Sequence, residues 1–328
     1  EGKIASGVVA AQGRLSPDAE MERLTRAGVT VINWHSSDYP PRLKEISNAP
    51  PVLYYKGQLL ASDERSVAVV GSRSPTTYGR EAGTALTGDL ARNGITIVSG
   101  LALGIDGIAH RAALDQGGRT IAVVANGLDL VYPRDHTKLS QQIEEQGALI
   151  SELPLGVRPD SRSFPRRNRL VSGMTLGTLV VEAGETSGAR WTVQHALEQG
   201  REVFCVPGSI FSPVSRLTNR LIQEGAKLAS SYTDILEELN LSVVARQIEM
   251  RLSQDWPLVS PGDSDGESSL LNCIDHEPIH IDEIRRQVSL PIESVSSLLT
   301  MLELKGQVRQ VGCMHYVRIR EATPLYGN

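Results

Sequence analysis

The sequence predicts an α/β domain built on a doubly wound parallel sheet, followed by a small winged helix-turn-helix. Three observations predict it. Short apolar runs alternate with amphipathic stretches from Ser66 to Glu224, the pattern of strands buried on both faces and crossover helices. Several of those stretches stop at glycine, as at Asn93-Gly94, Gln116-Gly117, Gln146-Gly147 and Gln199-Gly200, a common way to end a helix. A segment rich in Ser, Asp, Gly and Pro then separates a second, shorter set of elements.

Residues 1–60 read as an N-terminal helical remnant and connector. Ser16-Pro17 caps and starts a helix that Ala27-Gly28 ends. A strand is expected over Val29–Trp34, a turn at Asp38-Tyr39-Pro40-Pro41, and an extended edge from Asn48 to Gly57. The chain starts at Glu1 without methionine, so a native N-terminus is expected to be missing.

Residues 61–240 carry the main domain. Its expected strands are Ser66–Val70, Ile95–Ser99, Thr120–Val124, Ala148–Ser151, Leu176–Glu182 and Glu202–Val206. Its expected helices are Tyr78–Arg92, Ile105–Gln116, His136–Gln146, Arg190–Gln199 and Arg216–Glu224. Residues 253–268 read as a flexible linker. Residues 269–320 read as the winged helix: helices at Leu270–Ile274, Ile281–Val288 and Glu293–Leu304, then a two-stranded wing from Lys305-Gly306 to Tyr316-Val317.

The net charge is −5, distributed as +1, −2 and −4 over residues 1–60, 61–240 and 241–328. Bulk charge therefore does not favour a polyanion, and any such site must come from local patterning. Residues 158–169 supply it, with five arginines against Asp160 and with Phe164 among them. Arginine offers phosphate a planar charged fork, and an aromatic ring offers a base its face. A solvated loop with incidental arginines explains the same composition. No apolar run is long enough to span a membrane. Cys205, Cys273 and Cys313 are too widely spaced for a disulfide framework or metal quartet, which fits a reducing cytoplasm.

In a doubly wound sheet, ligands sit beyond the carboxyl ends of the strands. Four loops land there: Gly71–Ser74, Ser99–Gly104, Asn126-Gly127 with Tyr132-Pro133-Arg134 nearby, and Glu182–Gly188. Glycine and helix amino termini in such loops suit anions, although each loop alone is equally an ordinary turn. Together they predict a long cleft. The position of a dinucleotide fingerprint reads Gly71-Ser72-Arg73-Ser74-Pro75-Thr76, and no Walker loop occurs. No catalytic triad or metal cluster is evident. Asp106 and His110, four apart on a helix, and Glu182, at a strand end, are read as structural groups.

Val70-Gly71-Ser72-Arg73, the run from Ser99 to His110, and Phe164-Pro165-Arg166-Arg167-Asn168-Arg169 occur in an order that resembles the DNA processing protein A (DprA/Smf) family. Val206-Pro207-Gly208 and the run from Thr218 to Ala226 follow in register, and the resemblance covers about Trp34 to Leu239. It implies a Rossmann-like core that binds single-stranded DNA, forms a homodimer and loads RecA recombinase during natural transformation. It implies neither an enzyme nor a cofactor or metal. The positions matching the family's DNA-binding surface are Gly71, Ser72, Arg73, Ser99, Gly100, Phe164, Arg166, Arg167, Asn168 and Arg169. Two roles stay open for Asn168 and Arg169: phosphate contact, or anchoring the loop to the sheet. The chain departs from the family pattern at Ala125, at Ala189-Arg190-Trp191-Thr192 and at Ser215-Arg216-Leu217-Thr218.

Two other readings compete. A nucleotide-processing hydrolase on a related scaffold would use Glu182 as catalyst. Alternatively the winged helix would read DNA, but Glu293–Leu304 contains Glu293 and Glu303 and no basic residue. Groove-reading helices need such residues, so a protein-contact or regulatory role is expected there.

Overall fold

The computed structural model describes residues 16–241, 264–274, 279–288, 292–304, 307–311 and 315–318. It divides into two units, Glu1–Arg246 and Gln247–Asn328.

Among the described residues the first unit starts with α1 (Pro17–Arg26), capped by the Ser16 side chain, which accepts from the Ala19 amide. Strand β1 (Thr30–Asn33), the short α2 (Pro41–Lys44) and β2 (Val52–Gly57) follow. The alternation then begins: β3 (Ser66–Val70), α3 (Thr77–Arg92), β4 (Thr96–Ser99), α4 (Ile105–Asp115), β5 (Thr120–Val123), α5 (Thr137–Gln146) and β6 (Ala148–Ser151). It continues through α6 (Ser163–Gly173), β7 (Gly177–Val180), α7 (Ala189–Glu198), β8 (Glu202–Cys205), α8 (Arg216–Gln223), β9 (Lys227–Leu228) and α9 (Tyr232–Glu238).

All nine strands form one sheet, ordered β1-β2-β6-β5-β4-β3-β7-β8-β9. From β6 to β9 every pairing is parallel, with Val70 opposite Val180 and Val180 opposite Cys205. Strands β1 and β2 add antiparallel at one edge, so the sheet is mixed and the connector segment belongs to it. The chain builds outward from β3 to β6, then returns to place β7 on the other side of β3. That reversal opens a crevice at the carboxyl ends of β3 and β7.

Alternate residues face opposite layers. Ala68, Val70, Val180 and Cys205 pack with Leu170, Val193 and Leu221 from α6, α7 and α8. Val67, Val69, Leu179 and Phe204 pack with Leu90, Ala109 and Ile235 from α3, α4 and α9. A third cluster joins Leu24, Ala122, Leu139 and Ile143.

Helix α6 is the main departure from the sequence reading, which placed no helix between β6 and β7. Pro165 falls in its first turn, where amides have no intrahelical acceptor in any case. Its inward face carries Arg167 as well as Leu170 and Val171, so the apolar period is broken.

The second unit contains α10 (Ser264–Cys273), β10 (Ile279–His280), α11 (Ile281–Val288), α12 (Ile292–Leu304), β11 (Val308–Gln310) and β12 (His315–Arg318). Leu270, Ile284, Val295, Leu299 and Leu302 form its core. Helix α10 starts at Ser264, inside the stretch read as linker; residues 253–263 lie outside the described residues. The wing pair β11–β12 gains β10 as a third strand. Residues 305 and 306, expected to start the wing, also lie outside.

Candidate nucleic-acid interface

The crevice at the β3/β7 reversal is a cleft of about 830 Å³. Gly71–Ser74, Gly100, Ala102, Tyr132, Phe164, Arg167, Asn168, Gly184 and Thr186–Ala189 all line it, as does Trp191. Three of the four expected loops therefore meet, and the segment carrying the arginine run forms a wall through Pro159, Ser161, Phe164, Pro165, Arg167 and Asn168. The fourth contributes Tyr132, while Asn126 is buried and donates Nδ2 hydrogens to the Gly127 and Leu130 carbonyls.

The β3–α3 loop supplies the clearest ligand groups. A Cβ on Gly71 would stand 2.7 Å from the Ile105 side chain and 2.8 Å from the Glu182 carbonyl, so only glycine fits. The Ser72 amide donates to the Glu182 carbonyl at 2.6 Å, fixing the loop against β7. Ser72 Oγ accepts from the Ser74 amide at 3.1 Å, leaving its hydroxyl hydrogen to donate elsewhere. Arg73 is exposed and makes no ion pair among the described residues. Its guanidinium carbon lies 5.5 Å from the Phe164 ring centroid, a cation–π distance. Tyr132, 48% exposed, brings its ring 5.8 Å from that of Phe164.

The β4–α4 loop is wired differently. Ser99 Oγ donates to the Val69 carbonyl at 2.6 Å, and Ser99 is buried. The amides of Gly100 and Ala102 each donate to Asp106 Oδ2 at 3.2 Å. The Gly100 carbonyl accepts from Arg167 Nη1 at 2.7 Å. Ser99 and Gly100 thus spend these groups internally, Ser99 beneath the surface and Gly100 in the cleft lining.

The arginines separate into two kinds. Arg167 is 4% exposed and donates to the Gly100 and Val123 carbonyls with its charge facing Asp106. Burial pulls its pKa down to about 10, against the opposing effect of Asp106. Burial also raises the Asp106 carboxyl above its usual range, while Arg167 and the two amides pull it back. Arg169 is 8% exposed and pairs with Glu152. Both were candidate phosphate ligands; the structure commits them to buried partners because those partners lie opposite. Arg166 is exposed, 3.6 Å from Glu152, and Arg158 and Arg162 are exposed. Asn168 lines the cleft and accepts from Arg167 Nε at 3.2 Å.

The other candidate groups make internal hydrogen bonds. Glu182 is 2% exposed; its Oε2 accepts from the Thr76 amide at 2.9 Å and its Oε1 from the Thr76 hydroxyl at 2.6 Å. It orients the cap of α3. His110 is buried, with Nδ1 2.7 Å from Thr120 Oγ1. Thr120 gives its hydrogen to the Ile97 carbonyl, so His110 Nδ1 is the donor. Burial first, then the charges of His136, Arg167 and Arg111, lower the His110 pKa to about 3.

Sequence reasoning left Trp191 out of the site, although its departure from the family pattern drew attention to that position. On α12, Ser296, Met301 and Glu303 are the exposed residues among those described. Among the described residues no helix is long and apolar enough to cross a membrane.

Residues 30–240 match the family model for DNA recombination-mediator protein A, and residues 257–312 match that of the DprA winged helix domain. The chain is 42% identical to Protein Smf of Escherichia coli over 299 residues, covering 89% of this chain and 78% of that protein. The crystal structure of DNA processing protein A from Streptococcus pneumoniae is similar at 41% identity and a TM-score of 0.63, over 66% of this chain and 77% of the other. Its counterpart from Helicobacter pylori, described by its single-stranded DNA binding mode, is similar at 29% identity and a TM-score of 0.58, over 64% and 95%.

Proposed function

The chain belongs to the DNA recombination-mediator protein A (DprA/Smf) family, and on that premise we propose that its cleft binds single-stranded DNA without regard to sequence. One observation carries the reading: an exposed Arg73, without an ion pair among the described residues, stands over Phe164 in the cleft. The guanidinium offers a phosphate clamp and the ring a base platform, and a strand presents both groups at every nucleotide. A duplex hides its base faces, so the preference is for unpaired strands. Ser72 and Asn168 add contacts along the wall, and the exposed Arg166 adds positive charge on the same helix as Asn168. The family further supports assembly as a homodimer in the cytoplasm and loading of RecA recombinase onto incoming strands in natural transformation. We take the chain to be a binding protein and not a hydrolase, because Thr76 engages both oxygens of Glu182 and ties that carboxylate to a helix cap.

Fluorescence anisotropy of the full chain with single-stranded and duplex oligonucleotides at two salt concentrations tests this. The single strand binds more tightly, and its affinity falls steeply with salt. Arg73→Ala weakens binding by about 1.5–3 kcal/mol and lowers the salt slope by roughly 0.7. A folded Arg73→Ala chain with unchanged affinity and slope would remove the cleft from the proposal.

A further inference from the structure

We propose that Trp191 and Arg190 form a second base-stacking platform in the same cleft, an inference that rests on the single-strand reading above. Trp191 lies in the first turn of α7, lines the cleft and is 38% exposed. Its exposure is not a failure of packing. Ala189, Thr192, Val193 and Ala196 make the buried face of α7, so positions 190 and 191 point outward by helical period.

The Arg190 guanidinium carbon stands 5.1 Å from the Trp191 ring centroid. That pair reproduces the chemistry of Arg73 over Phe164, where the separation is 5.5 Å. Three aromatic side chains therefore line one cleft, and two of them, Phe164 and Trp191, have an arginine at cation–π distance. Neither Arg73 nor Arg190 makes an ion pair among the described residues. Phe164 lies in the first turn of α6, and α6 packs directly against α7. Packed helices lie roughly 8–10 Å apart between axes, so the two platforms head neighbouring helices on one sheet edge. The occupant is an unpaired base of the strand already held at Phe164, with its phosphate drawn to Arg190. Indole is the largest stacking surface a side chain offers, and stacking tolerates any base.

The chain has three tryptophans, Trp34, Trp191 and Trp256. Full-length protein carrying Trp34→Phe and Trp256→Phe leaves Trp191 as the only indole reporter. An oligo(dT) strand quenches and shifts its emission, whereas an abasic deoxyribose-phosphate oligomer of equal length does not. In anisotropy, Trp191→Ala binds oligo(dT) about 5- to 150-fold more weakly, the range for one stacked base. Its affinity for the abasic oligomer is unchanged, and Trp191→Phe retains most of the oligo(dT) affinity. If oligo(dT) binds with Trp191 emission unmoved and Trp191→Ala matching the parent, the platform is overturned while the cleft reading stands. If the parent chain binds no single strand at all, both fall.

Discussion

Replacing Arg167 should damage the fold more than it damages DNA contact. Arg167→Met keeps most of the side-chain volume but removes the charge. Asp106, itself 8% exposed, then keeps the Gly100 and Ala102 amides but loses its cationic partner. The Gly100 and Val123 carbonyls lose their donor. Removing one member of a buried ion pair costs about 3–5 kcal/mol. For a domain of this size that lowers Tm by roughly 6–20 °C. Urea and thermal unfolding, followed by far-UV circular dichroism, read the loss. Adding Asp106→Leu should recover much of it, since an apolar pair can replace a buried ionic one. The reasoning is refuted if Arg167→Met unfolds within about 1 kcal/mol of the parent and yet loses strand binding. Arg167 would then be a ligand group and not an anchor.

Thr76→Val removes the hydroxyl that donates to Glu182 and caps the Gly79 amide. It should lower stability by about 1–3 kcal/mol in urea melts, with oligonucleotide affinity unchanged. For His110, the unfolded chain takes up a proton near 6.5 but the folded one only near pH 3. Between those values the unfolded state binds more protons, so stability falls as pH falls, by at most about 1.4 kcal/mol per pH unit. His110→Gln should flatten that part of the stability profile. A profile unchanged between pH 6 and 4 would mean that His110 is not the group responsible.

Much of the scaffold was readable because its signals are local. Strands β3 to β8 are short apolar runs, and the helices between them carry a clear period with glycine stops. Expected and observed bounds for these elements agree within a few residues. The Gly71–Arg73 loop was readable because glycine and arginine after a strand carry a backbone requirement and a charge at once. Helix α6 was not, because its buried face presents an arginine where apolar periodicity expects a leucine. The extended edge expected over Asn48–Gly57 became β2, but its antiparallel pairing was not readable, since its partner β6 lies about ninety residues later in the chain.

The sequence by itself determined the alternating architecture, the family, and the loops that converge at the carboxyl edge of the sheet. It could not sort the arginines, because Arg73, Arg166, Arg167 and Arg169 are chemically identical. The tertiary structure sorted them by what lies opposite each one. Arg167 meets Asp106 and two backbone carbonyls, and Arg169 meets Glu152, so desolvation and pairing hold both inside. Arg73 has an aromatic face and open solvent, and its charge remains available to a ligand. Burial of a charge is a property of its surroundings, and those surroundings come from distant parts of the chain.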